Sequence, residues 1–288
     1  MDIEAITTVG VAGTGSMGVG IMQVAAQAGF QVRAVDLDDA AWDRALKTLT
    51  KSLDRLLAKD KITEAQMKET LSRISFSTDL ESLKDVPFIF EAVFENLEVK
   101  KDLYGKLDAI TRADAVYASN TSSLSITEMA SLVKRPGQFI GMHFFNPVPM
   151  MKLVEVIPAL QTEKTTTDLA LEIAKKLGKT SITCKDTPGF VLNRLLVPYM
   201  LDAVRLLEQG TASRDDIDTA MKLGAGMPMG PFELMDFTGV EISQYVGDIF
   251  FEATKEPRFA PPCLLRNMVK AGYLGRKAGK GFYDYPAK

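Results

Sequence analysis

Ala5-Ile6-Thr7-Thr8-Val9-Gly10-Val11-Ala12-Gly13-Thr14-Gly15-Ser16-Met17-Gly18, residues 5–18, decides the fold. Its first eight residues are β-rich and run straight into glycines. Ile21, Val24, Ala25 and Ala28 then recur at helical spacing up to Gly29. A second short apolar segment, Phe30 to Val35, stops at Asp36. Strand, glycine turn, helix and strand make a βαβ unit, and such units build parallel sheets. Gly13, Gly15 and Gly18 stand in the spacing G-x-G-x-x-G between strand and helix. The first allows a tight turn, the second lets the backbone approach a pyrophosphate, and the third permits close helix–strand packing. Ser16 and Met17 open the helix, whose first N–H groups are available to phosphate oxygens. Asp36, 18 residues after Gly18, ends the second strand, where a carboxylate can hold ribose hydroxyls. Its charge would repel a 2′-phosphate, and Leu37 stands beside it where users of NADP often carry arginine. A dinucleotide site follows, with NAD favoured over NADP.

A long helical stretch comes next. Trp42, Ala45, Leu46, Leu49, Leu53, Leu56 and Leu57 form one apolar face, with Lys47, Lys51, Arg55 and Lys59 on the other side. Residues 61–73 read as a second helix, capped by Thr63 with Gln66 three positions on. Short strands are expected at 86–92, 115–119, 138–144 and 152–157, with a helix over 95–110. This alternation predicts an α/β fold, a doubly wound Rossmann-type sheet with a helical hairpin insertion. Near Asp186-Thr187-Pro188-Gly189 the character changes, and helical signals dominate beyond it. Residues 190–209 predict a helix kinked at Pro198. Ser213 caps another, with Asp215 and Asp216 in its first turn. The expected division is a nucleotide-binding domain over 1–186 and an all-α C-terminal domain over 187–288.

Composition narrows the function. With 34 basic and 37 acidic side chains the net charge is -3, which gives no positive field for a phosphodiester backbone. Nucleic acid is therefore not an expected partner. No apolar run reaches the roughly 20 residues of a membrane span. Met1-Asp2-Ile3-Glu4 is acidic and unlike a targeting peptide, so a cytoplasmic setting is expected. Cys184 and Cys263 make no disulfide framework, and neither has metal-ligand spacing. The chain has a single histidine, which excludes a His-rich zinc or iron site. No metal is expected, and only one imidazole is available for acid–base work near neutral pH.

That histidine, His143, ends an apolar strand (Gln138-Phe139-Ile140-Gly141-Met142) and precedes the turn Asn146-Pro147-Val148-Pro149. The following run, Lys152-Leu153-Val154-Glu155-Val156-Ile157, holds a lone carboxylate among apolar residues. Burying Glu155 unpaired would be expensive, so it needs a partner. A return of the second strand beside the first makes His143 a candidate; Lys152 is the rival, although it alternates to the opposite face. A His–Glu pair would orient the ring and stabilise its charged form. An ordinary core histidine with a satisfied ring is the other reading. Ser119-Asn120-Thr121-Ser122-Ser123 follows a strand, at the strand end where α/β sheets bind ligands. Its polar groups either hold a substrate oxygen or cap a helix beginning near Ser125. No G-x-S-x-G elbow is present, which argues against a serine hydrolase.

The segments HFFNPVPMMKLVEV (143–156) and SNTSSLSITEMA (119–130) closely resemble the 3-hydroxyacyl-CoA dehydrogenase family. DTPGFVLNRLLVPY (186–199), AMKLGAGMPMGPFELMDF (220–237) and GYLGRKAGKGFYDY (272–285) extend the likeness over essentially the whole chain, which looks most like bacterial 3-hydroxybutyryl-CoA dehydrogenases. The resemblance implies NAD-dependent hydride transfer between (S)-3-hydroxybutyryl-CoA, or another short 3-hydroxyacyl-CoA, and its 3-keto form, acetoacetyl-CoA in the first case, within fatty acid or butanoate metabolism. It implies His143 as acid/base, Glu155 as its orienting carboxylate, and Ser122 with Asn193 at the C3 oxygen. Glu95, Lys100 and Asn120 would surround the nicotinamide and its ribose. The inserted hairpin would help hold the acyl-CoA, recruiting Ser52 with Lys51, Arg55 and Lys59, a row that also reads as a solvated face. The resemblance further implies a homodimer through the C-terminal domain. Residues 190–209 and 227–240 are apolar enough for that, unless they fill a tight helical core. Two alternatives stand beside this reading. Another β-hydroxyacid dehydrogenase would use a lysine as its acid/base. A non-catalytic NAD-binding structural relative is disfavoured by the full set of Ser122, His143, Glu155 and Asn193. Ala260-Pro261-Pro262-Cys263 departs from the pattern, since relatives often carry a histidine and a threonine there.

Overall fold

The structure, a computed structural model, describes residues 3–286. They form two compact units, one ending at Thr187 and the other beginning at Pro188.

The first unit is built on eight strands: β1 (Thr8–Ala12), β2 (Gln31–Val35), β3 (Ile74–Ser77), β4 (Phe88–Glu91), β5 (Val116–Ser119), β6 (Phe139–Phe144), β7 (Leu153–Pro158) and β8 (Thr180–Thr183). They lie in the order β3-β2-β1-β4-β5-β6-β7-β8. Each neighbouring pair is parallel except β6 and β7, which run antiparallel. The central strand β4 is buried at all four positions, as a parallel strand covered on both faces must be.

Helices α1 (Ser16–Gln27), α2 (Asp39–Leu57), α3 (Glu64–Ser72), α4 (Leu97–Ile110), α5 (Ile126–Ala130) and α6 (Lys164–Lys176) complete the unit. Ile21 of α1, Leu49 and Leu53 of α2 and Ile173 of α6 share one core with Phe88, Phe90 and Ala118. Tyr104 of α4 meets Tyr117 and Phe139, which alternation places on the other face. The sheet is thus doubly wound.

The hairpin expected after the second strand is α2 and α3. Asp38 caps α2 by accepting from the Ala41 N–H, and Thr63 with Gln66 forms a reciprocal capping box on α3. Trp42 stacks on Phe76 of β3, with ring centroids 4.9 Å apart, which seats the hairpin on the sheet edge.

Several boundaries differ from the sequence expectation. The first strand starts at Thr8, because Ile3–Ala5 forms a short 3-10 turn. Strands β3 and β8 carry no clear sequence signal. Each has four residues, two of them serine in β3 and three of them serine or threonine in β8, and each lies at an edge of the sheet. Edge strands need apolar residues on fewer positions, so the period-2 pattern fades there.

The second unit is helical: α7 (Leu192–Glu208), α8 (Arg214–Thr219), α9 (Pro231–Thr238), α10 (Val240–Thr254) and α11 (Cys263–Lys270). Pro198 lies inside α7. Ser213 caps α8, with Asp215 and Asp216 in its first turn. Leu201, Phe232, Met235, Phe250, Phe259 and Leu265 form the core. Two buried carboxylates tie the chain end to it. Asp236 accepts from the Phe282 and Tyr283 N–H groups and the Tyr285 hydroxyl, while Asp218 accepts from Phe232, Glu233 and the Tyr283 hydroxyl.

Candidate active site

Strand β1 passes into α1 through three glycines with three different duties. Gly13 has φ +94°, and a Cβ there would stand 2.6 Å from the Ala92 carbonyl oxygen. A Cβ on Gly18 would fall 1.9 Å from the Gly13 oxygen, so the close approach of α1 to the strand end requires glycine. Nothing lies within 4 Å of a Cβ placed on Gly15. Its bare backbone, with Ser16 and Met17, lines a cavity of about 650 Å³. Asp36 stands on the same cavity. Its Oδ2 accepts from the Thr14 N–H and hydroxyl, each at 2.6 Å, and its Oδ1 accepts from the Leu37 N–H at 2.8 Å. Leu37 is 93% exposed, and Arg33 is engaged by Asp85 at 2.5 Å, away from Asp36. The bare Gly15 backbone and the anchored Asp36 fit a dinucleotide without a 2′-phosphate.

Met17, Ala92 and Val93 line this cavity and also a second one of about 310 Å³. Glu95, Lys100, Asn120, Ser122 and His143 lie on the second cavity's wall. The antiparallel register of β6 and β7 sets His143 directly opposite Glu155. His143 Nδ1 lies 2.8 Å from Glu155 Oε2, with Glu155 0% and His143 5% exposed. Phe145 packs on the imidazole at 4.5 Å between centroids. Asn120 Oδ1 accepts from the Phe144 N–H at 2.9 Å and ties the end of β5 to the end of β6. The polar loop after β5 divides its duties. Ser125 caps α5, the Thr121 and Ser123 hydroxyls go to Glu95, and Ser122 faces the cavity of His143.

The model of the 3-hydroxyacyl-CoA dehydrogenase NAD binding domain matches residues 8–187, and that of the C-terminal domain matches residues 189–285. The chain belongs to the 3-hydroxyacyl-CoA dehydrogenase family. NAD is accordingly its cofactor, and oxidoreduction of a 3-hydroxyacyl-CoA its reaction. It is 47% identical to the mitochondrial hydroxyacyl-coenzyme A dehydrogenase of Mus musculus, covering 97% of this chain and 91% of that one. It is 43% identical to a 3-hydroxybutyryl-CoA dehydrogenase of Mycobacterium tuberculosis, covering 98% and 99%. The crystal structure of the (S)-3-hydroxybutyryl-CoA dehydrogenase of Ralstonia eutropha superposes with a TM-score of 0.95 at 44% identity, covering 98% of this chain and 100% of that one.

In this member of the family, motif reasoning passes over a central group, Glu91. It is completely buried at the end of β4. Its Oε1 accepts from Lys100 Nζ at 2.6 Å and the Val93 N–H at 2.9 Å; its Oε2 accepts from Ser119 Oγ at 2.6 Å and the Tyr104 hydroxyl at 2.9 Å. The clue was present: a carboxylate closing the apolar run Phe88-Ile89-Phe90, as Glu155 interrupts its own. Burial and the nearby Glu91 charge push the Tyr104 hydroxyl far above the ordinary phenol range. Lys100 Nζ also lies 3.2 Å from Glu95 Oε2, so one ammonium bridges two carboxylates. Burial pushes the Cys184 thiol up to about 11, with help from Glu155 and Asp186, so it is not a nucleophile at neutral pH.

Lys51, Ser52 and Arg55 line a third cavity of about 600 Å³, and Asn146 lines both it and that of His143. Lys59 is exposed beyond the end of α2 and is not part of that lining. Asn193 sits in the first turn of α7, in the second unit. Among the described residues no group of three or more His, Cys, Asp or Glu side chains is placed to hold a metal ion. Among them, too, no helix is long and apolar enough to cross a membrane.

Glu95 yields a pH test. Burial alone would raise its pKa, but the Lys100 charge, the Thr121 hydroxyl and the Ser122 N–H together hold it below its ordinary 4.5. A carboxyl depressed on folding stabilises the fold above its unfolded value and loses that contribution as pH falls through the folded value. Glu95→Gln should therefore destabilise the protein fully at pH 7, with the deficit shrinking below pH 4.5, as read by urea unfolding of both proteins across that range. A deficit independent of pH would contradict this.

Proposed function

We propose that the chain interconverts (S)-3-hydroxybutyryl-CoA, or another short 3-hydroxyacyl-CoA, and its 3-keto form, with His143 as acid/base oriented by Glu155. The observation that carries this reading is the 2.8 Å contact of His143 Nδ1 with Glu155, on the wall of a cavity that shares its lining with the glycine-loop cavity. The short acyl chain rests on the activity for which the Mycobacterium and Ralstonia relatives are named.

Gly13, Gly15, Ser16, Met17 and Gly18 would hold NAD, with Asp36 at its ribose, and the bound cofactor would supply the hydride acceptor. Glu155 holds Nδ1–H, which assigns proton exchange to Nε2. As the C3 hydroxyl proton passes to Nε2 the ring becomes imidazolium, and the Glu155 charge stabilises it. In the reducing direction the imidazolium returns that proton to the C3 oxygen. Ser122 lines the same cavity, and its part in this reading is to hydrogen-bond the C3 oxygen. Asn193 receives the same task from the family resemblance alone. Glu95, Lys100 and Asn120 shape the nicotinamide end. A lysine acid, as in other β-hydroxyacid dehydrogenases, is disfavoured because Lys100 is held 2.6 Å from Glu91. Ser52, Lys51 and Arg55 take the coenzyme A portion.

We also propose a homodimer formed through the second unit, where Leu195, Phe237, Ile242 and Tyr245 are exposed apolar side chains. Sedimentation equilibrium should give twice the chain mass, and a monomer at micromolar concentration would refute it.

His143→Gln should lower kcat for acetoacetyl-CoA reduction by ~10²–10⁴-fold while NADH affinity holds. Glu155→Gln should lower kcat as well, since the imidazolium loses its counter-charge. Near-normal turnover in the His143 variant would overturn the assignment.

A further inference from the structure

Gln23 is a buried group that the reaction described above does not use. It lies on the face of α1 that also carries Ser16 and Gly20, and it is 0% exposed. Neither its Oε1 nor its Nε2 has a hydrogen-bond partner. Among the described residues it is the only side chain with two buried polar atoms both unpartnered. Leaving one such atom unmade costs about 1–3 kcal/mol, so a carboxamide with both ends unpaired is held at a standing penalty. Such a pair of unmet atoms calls for an explanation, and a ligand group that completes them is one.

The position of Gln23 says which ligand. It lines the third cavity, together with Ser52, Lys51 and Arg55 of α2 and the turn from Asn146 to Pro149. Gly20, one turn earlier, lets that turn seat against α1: a Cβ there would stand 2.6 Å from Val148 Cβ. Asn146 belongs both to this cavity and to that of His143. A linear thioester whose C3 lies at His143 and whose far end meets the cations of α2 passes Asn146 and runs along α1. Met17 lines the His143 cavity, and Gln23 is six residues further along the helix, roughly 9 Å at 1.5 Å per residue. That is beyond a four-carbon acyl chain and lies on the arm behind the sulfur. The arm of a coenzyme A thioester carries two secondary amides, each with one N–H and one C=O. A carboxamide with both a donor and an acceptor unpaired is the complement of such a group.

We propose that the Gln23 carboxamide turns into the cavity it borders and hydrogen-bonds a secondary amide of the pantetheine arm, accepting its N–H at Oε1 and donating Nε2–H to its carbonyl. This rests on the thioester reading above. It makes Gln23 a residue that selects for the carrier, not for the acyl group.

The test compares wild type with Gln23→Leu and the unbranched Gln23→Met on four acetoacetyl thioesters. These are those of coenzyme A, pantetheine, N-acetylcysteamine and a plain alkanethiol without amides. The ratio of kcat/KM for the pantetheine thioester over the amide-free one should fall about tenfold in the variants, the size of one or two lost hydrogen bonds. The fall should lie in KM. The N-acetylcysteamine thioester, with one amide, reports which amide is bound. The Tm of the unliganded Gln23→Leu protein should rise, because an apolar side chain of similar size removes two unsatisfied atoms. An unchanged ratio in whichever variant folds, or a lowered Tm with wild-type KM, would mark Gln23 as structural and overturn the proposal. Failure of wild type to reduce acetoacetyl-CoA would instead sink the reaction reading beneath it.

Discussion

A carboxylate taken out of water must be met by donors, and the candidate active site is arranged around two that are. Glu155 faces His143 across β6 and β7, and Glu91 gathers a lysine, a tyrosine, a serine and a backbone N–H at the end of β4. Removing one partner of such a buried charged pair typically costs about 3–5 kcal/mol, so each carboxylate fixes the geometry of what surrounds it. For Glu155 the partner is the only imidazole in the chain. The constraint that satisfies the charge is therefore the same one that sets the ring's orientation.

The sheet supplies the remaining placement. Parallel strands deliver their ends to one edge, and the polar groups collect there. The end of β1 gives the glycine loop, β2 gives Asp36, β4 gives Glu91 with Glu95 just beyond, and β5 gives Asn120 and Ser122. Only the β6–β7 pair breaks the parallel order, and that break is what brings Glu155 back beside His143. A parallel return would need a long crossover in place of the short Pro-containing turn. The one antiparallel pairing thus builds the His143–Glu155 pair proposed for acid–base work, while the parallel part builds the glycine-loop cavity proposed for the cofactor.

Much of this was legible from residues alone, for physical reasons that differ between elements. The glycine loop declares itself because each glycine answers a separate steric demand, seen at Gly13 and Gly18 as clashes a Cβ would make. Glu155 was readable as a charge without an outlet in an apolar strand. Glu91 obeys the same rule but sits at a strand end, where a carboxylate looks solvated. Its burial depends on Tyr104 and Lys100 from α4, whose approach the local pattern does not encode. The edge strands β3 and β8 were silent because tetrapeptides with two or three serine or threonine residues show too little apolar alternation to read. Lys51, Ser52 and Arg55 line a cavity as their helix face allows, whereas Lys59 falls beyond the helix end. No spacing rule could have singled out Gln23, since its meaning lies in the partners it lacks.

The most direct test uses the fact that there is one histidine. In uniformly 15N-labelled protein the two imidazole nitrogens give a single pair of signals, and two-bond proton–nitrogen correlation reports which carries the proton when the ring is neutral. With Glu155 as an ionised acceptor, the proton resides on Nδ1 and Nε2 is bare, ready to take the C3 hydroxyl proton. A ring protonated on Nε2, with bare Nδ1 facing Glu155, would contradict the account at its centre.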